Sequence, residues 1–216
     1  MLSRSEVEEL YTKKIDGYSS FVGFFRSQQA LRALLRGSDL IRPGMRVLDA
    51  GCGFGMATFA LLDVLRQKNF DYRGIDAVDL TPAMLARFRQ ILEARAITGV
   101  RLHQADVLAL DTLPDSWTDY DLILSASMLE YLPKQDLPRA LDGLRARLAP
   151  NGHMLVVISR KSPETKLLIE WWWQAERYTR EEFRSAFRQA GFQDPGFRRF
   201  PWCYFWLNRA NYVVEV

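Results

Sequence analysis

Apolar positions recur along this chain with two alternating periods: short runs that are apolar on both faces, and longer segments whose apolar residues fall every three or four places. In FFRSQQALRALLR, Phe24, Leu31, Leu34 and Leu35 predict a helix over 24–36 that stops at Gly37. MRVLDA, 45–50, predicts a short buried strand, and MATFALLDVLRQ, 56–67, a helix with Ala60, Leu61, Val64 and Leu65 on one face. YRGIDAVDL, 72–80, predicts a second strand. TPAMLARFRQILEARA, 81–96, predicts a helix with Thr81 as N-cap and Pro82 at its first position. Met84, Leu85, Phe88, Ile91 and Leu92 form its apolar stripe.

The alternation continues with strands at GVRLHQADV and YDLILSAS. A helix is predicted at QDLPRALDGLRARL, presenting Leu137, Leu141, Leu144 and Leu148, then a turn at APNG and a strand at HMLVVIS. Strands apolar on both faces and separated by helices indicate a parallel sheet covered on both sides. The tail differs. TREEFRSAFRQAGF carries a capping box in Thr179 and Glu182 and ends at Gly191. FRRFPWCYFW and NYVVEV then follow as strand-like runs with no room for a helix between them, which predicts an antiparallel hairpin. The expected fold is α/β: a doubly wound, mostly parallel seven-stranded sheet with an antiparallel C-terminal hairpin and helices on both faces. No repeat or linker divides the chain, so residues 1–216 are expected to form one domain: an N-terminal helical lid or extension over 1–40, a core over 41–160, and a substrate-side helix and hairpin over 161–216.

Composition narrows the function classes. The 216 residues suffice for a sizeable core. The opening MLSRSEVEEL has charges where a signal peptide needs its apolar stretch, and no apolar run approaches a membrane span, so a cytoplasmic protein is expected. Cys52 and Cys203 suggest neither a disulfide framework nor a metal cluster. Basic against acidic residues number 8 to 5 in 1–46, 11 to 14 in 47–159 and 10 to 6 in 160–209, too even for the basic stripe that nucleic acid requires.

The chemistry gathers at strand ends. VLDAGCGFGMA places Gly51, Gly53 and Gly55 in the first strand-to-helix turn, where backbone N–H groups can approach a ligand closely. A dinucleotide fingerprint would carry its third glycine at Met56, and a P-loop would need a lysine that is absent. A tight strand-to-helix turn also needs glycine for packing reasons. The second strand ends at Asp79, where an acid can accept both hydroxyls of a ribose. The third ends at Asp106 beside Val107, placed to read the edge of an adenine. With Asp49, three successive strand tips are acidic.

VLDAGCGFG, VDLTPAML, QADVLAL, YDLILSASMLEYLP and LAPNGHMLVVISR resemble, in order, the motifs of class I S-adenosylmethionine-dependent methyltransferases, in the branch that includes quinone-biosynthesis and other small-molecule enzymes. The likeness covers roughly residues 40–216 and implies a Rossmann-like fold. It departs in the long Asp49-to-Asp79 spacing, with Asp76 as a rival to Asp79. The resemblance implies S-adenosyl-L-methionine as cofactor and S-adenosyl-L-homocysteine as product. It gives Gly51, Cys52 and Gly53 the methionine end, and Asp49 the orientation of the turn and ammonium. Asp79 takes the ribose, Leu80 and Met84 sandwich the adenine, Asp106 and Val107 read its edge, and the Ser125 carbonyl meets the ammonium. Tyr11 and Tyr18 resemble N-terminal tyrosines that fold over the cofactor.

For the acceptor, Glu130 and Tyr131 are the candidates to touch substrate, with a helix-start carboxylate as the alternative reading of Glu130, and Trp172 lies in a region that commonly lids it. His103 and His153, within strands, read as structural. SASM lacks the N/D-P-P-Y pattern of adenine or glutamine methylation, and one glutamate stands where arginine methyltransferases keep two. A small, apolar or aromatic acceptor is expected. A protein or RNA acceptor, or a non-catalytic cofactor-binding relative, stays open. FPWCYFW, read as a strand apolar on both faces, suggests core packing, an aromatic substrate, a homodimer contact or a membrane-surface contact.

Overall fold

The computed structural model describes residues 27–161 and 176–216. Its sheet runs β3-β2-β1-β4-β5-β7-β6. Strands β1 (Met45–Ala50), β2 (Tyr72–Asp79), β3 (Val100–Gln104), β4 (Tyr120–Ala126) and β5 (Leu148–Ser159) are parallel. β7 (Asn211–Glu215) is antiparallel to both β5 and the edge strand β6 (Gly196–Arg198). The chain order reverses between β1 and β4, the switch point of a doubly wound sheet.

Each face buries its own helices. Val47, Leu122, Leu124, Leu155 and Val157 pack with α1 (Ser27–Arg36) and α2 (Met56–Lys68), and α3 (Pro82–Ala94) extends that layer over Ala77. Leu48, Ile123, Met154, Val156 and Ile158 point the other way, toward α4 (Leu137–Arg145) and α5 (Arg180–Gln189). Of the predicted helix faces, Ala60, Leu61, Val64 and Leu65 of α2 are buried, as are Met84, Leu85, Phe88 and Leu92 of α3, while Ile91 is partly buried against the same cluster. Thr179 and Glu182 form the capping box of α5.

Two segments differ from the periodicity. The fourth helix ends at Arg145, and Leu148 opens β5 opposite Tyr120. The ladder then slips register, so that the next pair is Leu122 with His153 and APNG is bulged strand rather than a turn outside it. Glycine is required there, because a Cβ at Gly152 would lie 2.4 Å from the Tyr120 carbonyl oxygen.

The second difference is PWCYFW. β6 stops at Arg198, and a 3-10 turn at Trp202–Tyr204 leads into α6 (Leu207–Ala210). Pro201, at φ −50°, has no backbone N–H to extend a ladder and starts the turn instead. The Asn208 side chain takes both backbone groups of Phe200. Phe200, Tyr204 and Leu207 then turn inward at helical rather than strand spacing. The antiparallel hairpin therefore exists as β6 and β7, with a helical tip in place of a long first strand.

Candidate functional site

The carboxyl edge of the sheet is stitched sideways, strand tip to strand tip. Gly51 N and Cys52 N both donate to Val78 O, at 2.8 and 2.9 Å, and Ala105 N donates to Asp79 O at 3.1 Å. The glycine turn is held between these bonds. Gly51, Gly53 and Gly55 all have positive φ, at 74°, 53° and 99°, which alone favours glycine. Their surroundings separate them. A Cβ at Gly51 would strike Met128 and one at Gly55 would strike Phe88, whereas one at Gly53 would meet nothing within 4 Å among the described residues. Close packing thus accounts for two of the glycines, and the third faces open space.

Three carboxylates flank that space differently. Asp49 is buried, and its Oδ2 accepts from Thr58 N at 3.0 Å and Thr58 Oγ1 at 2.6 Å, in the first turn of α2. Its Oδ1 is buried with no hydrogen-bond partner among the described residues. Burial raises its pKa to about 6 against the opposing Thr58 bonds. Asp79, half-buried, accepts from Gly53 N at 2.8 Å through Oδ2 and from Thr81 N at 2.9 Å through Oδ1. Desolvation raises its pKa too, and each oxygen keeps a further lone pair for a hydroxyl donor. Asp106 lies two residues beyond β3, with Oδ1 accepting from Leu108 N at 2.8 Å.

Beyond β4 the backbone turns through Ser127, at φ 56°, into a 3-10 turn over Leu129–Tyr131. Glu130 is enclosed there. Its Oε1 accepts from Ser159 Oγ at 2.9 Å, its backbone oxygen accepts from Glu176 N at 2.6 Å, and its Oε2 is buried with no hydrogen-bond partner among the described residues. Burial pushes its pKa from the ordinary 4.5 to about 7. The Tyr178 hydroxyl and Ser125 Oγ are likewise buried and have no hydrogen-bond partner among the described residues.

The sequence-predicted residues are spread unevenly around this edge. Asp49, Gly51, Gly53, Asp79, Leu80, Asp106, Ser125 and Glu130 follow the ends of β1 to β4, with Tyr131 beside Glu130. Cys52 is buried among Ala77, Leu85 and Phe88, and its thiol pKa is raised, so it behaves as a small core residue. Val107 is buried in the opposite layer. Met84 is fully enclosed, while Leu80 is half-buried. Asp76 is occupied: Arg101 grips it through two nitrogens at 2.6 and 2.8 Å, Tyr120 Oη donates at 2.7 Å and Arg46 at 3.1 Å. His103 packs on the Trp117 ring and His153 faces Arg42. Tyr11, Tyr18 and Trp172 lie outside the described residues. Sequence reasoning missed Thr58, Met128, Ser159 and Tyr178. Only Thr58 carried a signal, as a hydroxyl in the first turn after the glycines. No group of metal-ligating side chains occurs among the described residues.

A sequence profile described as "Methyltransferase domain" matches residues 24–194. The chain belongs to the methyltransferase-domain family. Its curated relatives in that family include carboxy-S-adenosyl-L-methionine synthase of Dichelobacter nodosus, 30% identical over 134 residues, 61% of this chain and 51% of that protein. Malonyl-[acyl-carrier protein] O-methyltransferase of Halorhodospira halophila is 34% identical over 158 residues, 69% of this chain and 49% of that protein. This methyltransferase-domain chain spans about half the length of the curated relatives it matches. Magnesium protoporphyrin IX methyltransferase of Synechocystis PCC 6803, solved with bound S-adenosylhomocysteine, shares the fold, with a TM-score of 0.70 at 15% identity. The match covers 99% of this chain and 98% of that one.

Proposed function

We propose that this methyltransferase-domain chain binds S-adenosyl-L-methionine along the carboxyl edge of β1 to β4 and transfers its methyl group to a small, apolar or aromatic acceptor. The observation that carries this reading is Gly53, the turn glycine with open space before it, clamped through its N–H to a carboxylate that retains acceptor capacity. The residues present suit the cofactor. Asp79 would accept the ribose hydroxyls and the half-buried Leu80 would lie against the adenine, with Met84, which the resemblance also places there, enclosed in the core. Asp106 and Val107 would read the base edge. The unsatisfied Asp49 Oδ1 and the Ser125 backbone suit an ammonium group, and Gly51, Cys52 and Gly53 the methionine chain.

When bound, S-adenosylmethionine supplies an electrophilic methyl on a sulfonium whose charge is dissipated by attack. The protein's own part is alignment and exclusion of water. Glu130 adds a proton site: held near neutrality by burial and oriented by Ser159, it would take a proton from an acceptor that arrives protonated, with Tyr131 beside it. Oxygen or nitrogen acceptors bearing such a proton suit that arrangement.

The test is calorimetric titration with S-adenosylmethionine, followed by release of S-adenosylhomocysteine on adding a small-molecule extract. Binding and cofactor-dependent release are expected. Tight binding with no release on small-molecule, protein or RNA acceptors would instead favour a non-catalytic cofactor-binding protein, and no binding would overturn the site.

A further inference from the structure

The loop between β6 and β7 is closed by a reciprocal clamp. Phe200 N donates to Asn208 Oδ1 at 2.8 Å, and Asn208 Nδ2 donates to Phe200 O at 3.0 Å. Phe200 and Leu207 anchor its base in the layer with α1 and α2. What the clamp presents is the tip Pro201 to Trp206, where Trp202 is 87% and Phe205 62% exposed. Trp206 braces it, with ring contacts of 5.7 Å to Tyr204 and 5.8 Å to Phe205. Two large apolar side chains held together in water on a pinned loop form the kind of exposed apolar patch that marks an interaction surface.

Charge and position say which surface. Residues 195–214 contain Arg198, Arg199 and Arg209 and no acidic residue. Arg198 is paired with Glu215, and Arg199 and Arg209 are exposed on either side of the aromatic tip. The tip also emerges at the edge that carries the site. β7 runs antiparallel to β5, Asn211 stands opposite Ser159, and Arg160 N donates to Ala210 O at 2.7 Å. β7, into which the tip leads, is two strand spacings from β4 in the sheet, about 10 Å.

We infer that this tip is an interfacial anchor that seats the carboxyl edge of the sheet on an anionic lipid surface. Trp202 and Phe205 enter the headgroup boundary, while Arg199 and Arg209 meet lipid phosphates. Two copies pairing tip to tip would set these arginines against their counterparts, which disfavours a symmetric dimer. The inference rests on the proposed apolar acceptor, because such a molecule partitions into lipid and the anchor points the site toward it.

The experiment is flotation of the full chain with phosphatidylcholine vesicles, with and without phosphatidylglycerol, at low and high salt. Binding to the anionic vesicles is expected, weakened by salt. Trp202→Ala with Phe205→Ala should lower it about tenfold or more, and Arg199→Gln with Arg209→Gln should abolish the preference for phosphatidylglycerol. An unchanged thermal midpoint would establish that the variants fold, and Trp202→Ser alone replaces the double variant if it does not. Equal vesicle binding by variant and parent overturns the anchor. So does absence of vesicle binding with a sedimenting dimer that Trp202→Ser dissociates, which would assign the tip to a second copy. Flotation needs neither cofactor nor turnover, so its failure leaves methyl transfer standing, and a failure to release S-adenosylhomocysteine leaves the anchor standing.

Discussion

Asp76 and Asp79 lie on one strand, three residues apart, and the fold treats them in opposite ways. Asp76 is 1% exposed, yet its oxygens are filled by Arg101, Arg46 and Tyr120, and although burial acts to raise its pKa, these partners hold it below the ordinary carboxylate value. Asp79 reaches the strand tip with backbone N–H donors for partners and a raised pKa. The first is a charge completed by its own protein, which serves the fold. The second has acceptor capacity left over at an edge where ligands of open α/β sheets collect. Partner chemistry, more than burial, separates a structural carboxylate from a binding one.

Asp76→Asn should give the largest effect. It leaves the guanidinium of Arg46 and the Tyr120 hydroxyl packed around a neutral amide, and should cost about 3 kcal/mol of stability by urea unfolding. Cofactor affinity per folded molecule should be unchanged; a selective loss of affinity would break the contrast. Asp79→Asn comes next, and should weaken S-adenosylmethionine binding by about 1.5–3 kcal/mol in calorimetry, the value of a hydrogen bond to a charged group. A variant that unfolds readily yet binds normally would move Asp79 into the class of Asp76.

The most gradual effect is with pH. Asp76, with its lowered pKa, contributes stability that is present above the ordinary value of 3.8 and lost as pH falls through its native value. Asp49 and Glu130 act the other way. The fold holds their protons after the unfolded chain has released them, so their contribution is full below the ordinary 3.8 and 4.5 and is lost as pH rises through about 6 and about 7. Urea midpoints measured across this range should therefore rise out of acid and then decline toward neutrality. Glu130→Gln should flatten the upper part of that decline, and should also remove an activity limb near pH 7 without changing cofactor affinity. An unaltered limb would take Glu130 out of the proton transfer.

Much of this was legible along the chain because strands buried on both faces and helices with one apolar stripe carry distinct periods, as β4 and α3 do. The capping box at Thr179 and Glu182 is local chemistry and needed no tertiary information. The order of acidic strand tips also came directly from the sequence, since a strand's end places its last side chains at the sheet edge whatever lies around them. The aromatic tip was not legible as it stands. WCYFW has strong strand character, and it is a turn where Pro201 lacks a backbone N–H and Asn208, eight residues on from Phe200, clamps the loop shut.

The sequence by itself determined the doubly wound topology, the glycine turn and the candidacy of Asp49, Asp79 and Asp106, because these follow from period, turn chemistry and position along the strand. The tertiary structure alone decided which groups are satisfied. It brought Arg46, Arg101 and Tyr120 from distant segments onto Asp76, set Met128 against Gly51 while leaving Gly53 open, and buried Glu130 against Ser159. The physical reason is that a carboxylate's charge state and free valence depend on partners assembled through space, which adjacency in sequence does not specify.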